Sequence, residues 1–84
     1  MSISAAGIGA RAVHVSVEHG MLRVVLADGR EIAAPIRWFP RLDAATAEQR
    51  GVWQLIGGGV GIHFPDVDED ISVVGLLDGE GGRR

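Results

Sequence analysis

Apolar and polar residues alternate from the start of the patterned region: Val13, Val15 and Val17 are separated by His14 and Ser16. A period of two is the signature of a strand with one buried face. Glu18-His19-Gly20 interrupts it with turn residues, and the glycine stands where a positive φ is expected. A second run, Met21 to Ala27, sets Leu22, Val24 and Leu26 on one face and Arg23 and Val25 on the other. Asp28-Gly29 predicts a hairpin turn of the two-residue kind, and Arg30 to Ala34 follows as a third strand with Ile32 and Ala34 on one face. Three strands joined by short turns predict an antiparallel β-meander.

The alternation stops at Pro35-Ile36-Arg37-Trp38-Phe39-Pro40-Arg41-Leu42. Pro40 lacks the N–H that a continuing central strand would need. The stretch Trp38 to Leu42 is expected to form a helical turn that lays Trp38, Phe39 and Leu42 towards the sheet. Thr46 and Gln49 have the spacing of a capping box, which predicts a short helix halted by Gly51. Trp53-Gln54-Leu55-Ile56 and Val60-Gly61-Ile62-His63-Phe64 predict a second β-hairpin around Gly57-Gly58-Gly59, ended by Pro65. The segment Ser72 to Leu77 is expected to be a C-terminal helix capped by Asp70 or Ser72, although its Val and Ile content also suits a strand. The fold class is therefore α+β: a three-stranded meander, short helices, a second hairpin and a C-terminal helix. Residues 1–11 are expected to be a flexible arm, 12–77 a single domain and 78–84 a flexible tail.

Composition narrows the function classes. A chain of 84 residues with 46% hydrophobic and 23% charged residues is of the globular rather than the disordered kind. It contains no cysteine, which excludes disulfides, zinc-thiolate sites and thiol nucleophiles. No apolar run approaches the roughly 18 residues needed to cross a bilayer, and the first residues do not read as a signal peptide, so the expected location is cytoplasmic. All eight fixed cations are arginines. Arg30, Arg37, Arg41 and Arg50 lie mid-chain, while Asp66, Asp68, Glu69 and Asp70 crowd one segment; the fold is expected to tie these two groups together with ion pairs.

Several motifs are incomplete in this chain. Asp66, Asp68 and Asp70 open like a calcium loop, but Ile71 and Leu77 stand where a turn glycine and a bidentate glutamate are required. Gly57 to Gly61 lacks the third glycine of a dinucleotide-binding turn, Gly7 to Ala12 follows no strand, and a Walker loop is excluded by the absence of lysine. No serine occupies an esterase elbow. His63 with Asp66 and Asp68 is the remaining set for a small metal protein or an acid–base enzyme. The arginines with Trp38 and Phe39 offer a nucleic-acid alternative, opposed by the pI near 5.4, since phosphate binding draws on concentrated positive charge.

The run Asp28-Gly29-Arg30, Pro35 to Leu42, Ala45 to Arg50, Trp53, Gly61 to Pro65 and Asp68 to Val73 resembles a small bacterial family, the domain of unknown function numbered 2442. The chain departs from that pattern at Phe64, where a Trp is common, and at Arg37, where a small polar residue is common. The resemblance implies a compact α+β domain, sometimes joined to a helix-turn-helix and often found beside a second small protein in a toxin–antitoxin-like pair. It supplies no catalytic residue. The chain as given ends before a helix-turn-helix would fit, and direct nucleic-acid binding is not expected.

The reading from sequence is thus a non-enzymatic protein-interaction module, the antitoxin-like half of a two-protein pair, with no cofactor or metal. Its expected partner is another small protein, basic in character, with self-association also open and no role at a membrane. The expected contact residues are Asp66, Asp68, Glu69 and Asp70, with Trp38, Phe39 and Arg41 as a second patch.

Overall fold

The computed structural model describes residues 10–79. The expected terminal arm and tail, apart from residues 10, 11, 78 and 79, lie outside these. Strands β1 (Ala12–Glu18), β2 (Met21–Leu26) and β3 (Glu31–Pro35) form one antiparallel sheet in the order β1-β2-β3, the predicted meander. A 3-10 turn (Ile36–Trp38) and two one-turn helices, α1 (Pro40–Asp43) and α2 (Ala47–Arg50), follow. A second antiparallel sheet has the order β4-β5-β6, from β4 (Gln54–Ile56), β5 (Gly61–Phe64) and β6 (Glu69–Ser72), and leads into helix α3 (Val73–Asp78).

The two sheets share one core. Val15, Leu22, Val24, Leu26 and Ala34 from the first pack in a single cluster with Ile62, Phe64 and Ile71 from the second, and Ile36, Leu42, Val73 and Leu76 close it. The first sheet follows its period of two, with Leu22, Val24 and Leu26 all buried.

Two departures from the prediction occur in this sheet. Ala12 pairs with Leu26 and His14 with Val25, so Val13 is the extra residue of a β-bulge. The bulge shifts the phase of the strand: Ala12 points inward and Val13, expected inside, is 52% exposed. The turn at Asp28-Gly29 is also longer than predicted, because Leu26 N–H donates to Arg30 C=O and leaves three residues in the loop. Gly29, at φ 94°, takes the left-handed position such a loop requires. The Arg30 backbone N–H, 3.0 Å from Asp28 Oδ1, and then the Arg30 guanidinium, 2.8 Å from Oδ2, hold the Asp28 carboxyl below its ordinary pKa.

At the other turn of the meander, His19 (φ 54°) and Gly20 (φ 75°) form the two-residue connection between the paired Glu18 and Met21. The capping box is present in full: Thr46 Oγ1 accepts from Gln49 N–H at 3.1 Å, and Gln49 Oε1 accepts from Thr46 N–H at 2.9 Å. Four residues cannot sustain a helix by propagation alone, so the cap holds α2 in place. Thr46→Ala is expected to lower stability by about 1 kcal/mol. Chemical denaturation read against the wild type, with an unchanged m-value, checks this.

Candidate functional site: a cleft along an edge strand

Two anchors position one wall of the site. Ile36 and Leu42 are buried, and Pro40 at the first position of α1 presets its helical φ. Between these anchors Trp38 and Phe39 pack against the core while remaining partly exposed, and Phe39, at φ −123° and ψ 86°, divides the helical turn expected over Trp38 to Leu42 into the 3-10 turn and α1.

The opposite wall is β6, and here the structure departs from the sequence reading. Glu69 to Ser72 is a strand paired with β5, where the sequence predicted no strand, and the second hairpin becomes a three-stranded sheet. Ile71 is buried and Asp70 and Ser72 are exposed, a period of two that continues into buried Val73. That alternation was present in the sequence, masked by Glu69 and Asp70, residues depleted in strands. Ser72 rather than Asp70 caps α3: its Oγ accepts from Gly75 N–H at 3.1 Å.

These walls face each other across a cleft of about 660 Å³. Trp38 to Arg41 line one side, Asp68 to Ser72 the other, and Gly75 and Leu76 complete it. The residues expected from sequence as two contact patches therefore line one cleft, with Asp66 outside it. Pro40, Ile71, Ser72, Gly75 and Leu76 were not anticipated; Ile71 and Leu76 carry only the signal of core residues, and the cleft exists through tertiary packing.

Arg41 spans the walls. Its Nη1 donates to Asp68 C=O at 2.7 Å and lies 3.8 Å from the Asp68 carboxylate. This is the one pair joining the mid-chain arginines to the acidic segment among the described residues; Arg23–Glu31, Arg30–Asp28 and Arg50–Asp43 close locally. Asp68 has φ 54°, a left-handed conformation that aspartate tolerates better than most residues.

The geometry revises the metal alternative. His63 Nδ1 lies 2.5 Å from Asp70 Oδ1, its cross-strand neighbour, rather than converging with Asp66 and Asp68. Among the described residues no three histidine or carboxylate side chains are arranged to hold a metal ion. Arg23, Arg30, Arg41 and Arg50 each stand beside a carboxylate, which offsets part of the positive charge that phosphate binding draws on. Among the described residues no helix is long and apolar enough to cross a membrane.

The model of a protein family of unknown function, DUF2442, matches residues 10–82. The chain belongs to the DUF2442 family. Solved structures agree with the fold of this DUF2442 chain. A protein of unknown function from Rhodospirillum rubrum, determined by crystallography, is 30% identical, with 82% of this chain and 86% of that chain covered and a TM-score of 0.72. An uncharacterised protein from Chromobacterium violaceum, determined by NMR in solution, is 29% identical, with 88% and 68% covered and a TM-score of 0.71. No curated protein matches this DUF2442 chain.

Proposed function

We propose that this chain is a cytoplasmic, non-enzymatic protein-interaction module, the antitoxin-like member of a two-protein pair, and that its partner seats in the cleft between Trp38–Arg41 and Asp68–Leu76. The observation that supports this reading is the convergence of aromatic, arginine and acidic residues, distant in sequence, on one open cleft. Partly exposed aromatics beside a charged rim are the composition of contact surfaces, in which the apolar part supplies affinity and the charges select the partner. The pairing with a second small protein follows from the family resemblance. Three carboxylates against one arginine make the rim acidic, so the partner is basic.

The test is capture from native lysate at low and at moderate salt, comparing wild type with the triple variant Asp68→Asn, Glu69→Gln, Asp70→Asn. Wild type is expected to retain one small basic protein that leaves as salt rises, because an exposed charged contact is screened within a Debye length of about 8–10 Å. The variant is expected to lose it by at least tenfold while keeping wild-type circular dichroism. Equal capture by both proteins, or recovery of bait alone, overturns the reading.

A further inference from the structure

The cleft lies along a strand edge that can accept another strand, and this determines the form of the partner. Val73 N–H donates to Val60 C=O at 3.0 Å. In the same register Gly61 faces Ser72, Ile62 faces Ile71, His63 faces Asp70 and Phe64 faces Glu69. Hydrogen-bonded and non-hydrogen-bonded pairs alternate in an antiparallel ladder, so in phase with the Val73 bond Ile62–Ile71 and Phe64–Glu69 exchange backbone bonds and His63–Asp70 does not. The N–H and C=O of Asp70 therefore point away from β5. β6 ends its sheet, and no backbone or side-chain partner takes these two groups among the described residues.

A second observation places the cleft on that side. Five consecutive residues, Asp68 to Ser72, line it. Side chains of a strand alternate between faces, so consecutive residues share a cleft only when it runs along the strand's edge. The chemistry around the edge also alternates. Glu69 and Ile71 lie on the face of β6 that holds the core, and the cleft there offers Trp38, Phe39 and Leu76. Asp70 lies on the other face beside His63.

We infer that β6 is extended by a strand of the partner, a segment in which arginine or lysine alternates with apolar residues. Its backbone bonds to Asp70, its basic side chains meet Asp70 and the Asp68 rim, and an apolar side chain between them enters the cleft against Trp38 and Leu76. Strand addition of this kind draws affinity from main-chain bonds and specificity from alternate side-chain positions. The same carboxylates guard the edge against neutral or acidic strands. The inference rests on the proposed interaction function and names the partner segment for it.

The probe is an eight-residue synthetic peptide alternating lysine and leucine, titrated into the isotope-labelled full chain. Hydrogen exchange at the Asp70 amide is expected to slow at least tenfold on saturation, with the Trp38 indole resonance shifting in parallel. The same peptide methylated on alternate backbone nitrogens, with its charges unchanged, is expected to bind at least tenfold more weakly. Equal binding of the two peptides, a Trp38 shift without Asp70 protection, or no binding at millimolar peptide overturns strand addition. A concentration-dependent dimer with Asp70 protected in the absence of peptide assigns the edge to a second copy and overturns it as well. If the triple variant loses its captured partner while the peptide leaves Asp70 unprotected, strand addition fails and the interaction function stands. If wild type and triple variant capture equally, the interaction function fails.

Discussion

Gly59→Ala is expected to lower stability by about 2–5 kcal/mol, from a left-handed backbone cost of roughly 1–2 kcal/mol and a buried hydrogen bond worth about 1–3 kcal/mol. Gly59 is buried in the turn between β4 and β5 at φ 110°, and its C=O accepts Ala12 N–H at 2.8 Å. A Cβ built there would lie 2.5 Å from Ala12 C=O and 3.0 Å from Ala12 N. Both obstacles are backbone atoms of the bulged strand, so relief requires moving β1 relative to the second sheet. For a domain of this size each kcal/mol lowers Tm by about 4–8 °C. Gly29→Ala serves as the control: Gly29 also has positive φ, at 94°, but nothing lies within 4 Å of its Cβ position. Thermal melts of the two variants separate the close approach from conformational cost. Equal Tm values would show that contact with Ala12 does not matter.

Phe64→Ala is expected to cost about 3–5 kcal/mol, the range for truncating a buried aromatic. Phe64 is fully buried and sits on β5, the central strand of the second sheet. Its ring joins the cluster that also holds Leu22, Leu26 and Leu42, so the cavity would open where the two sheets meet. A small domain has a total stability of only about 5–15 kcal/mol, and this loss removes a large part of it. Urea unfolding followed by Trp fluorescence measures the effect. A midpoint within about 0.3 M of wild type, with an unchanged m-value of the usual 1–3 kcal/mol/M, would contradict it.

The residues that resisted reading share a cause. Val13 alternates correctly with Val15 and Val17, yet it is turned out as the extra residue of a bulge between Ala12 and His14. The bulge sits where the Gly59 turn bonds to Ala12, a contact distant in sequence. β6 was legible in the alternation of Asp70, Ile71, Ser72 and Val73, but two acidic residues in a four-residue strand outweighed it. Glu69 and Asp70 are tolerated there because β6 is an edge, where charge is compatible with solvent. The expected tie between the mid-chain arginines and the acidic segment is made at Arg41 and Asp68, and it brings Trp38 and Phe39, expected from sequence as a second patch, to the same cleft.

What the sequence determined by itself was local: the meander, the Thr46–Gln49 capping box, the short helix before Gly51, the C-terminal helix and the family resemblance. The structural elements among these depend on residues within one turn or one strand pair, where periodicity and side-chain-to-backbone bonds act without help. Tertiary structure alone decided the sixth strand's edge position, the partnering of His63 with Asp70, and the union of two patches into one cleft. These depend on how two small sheets bury a common core. Burial is summed over the whole chain, and no single segment records where its surface will meet another's.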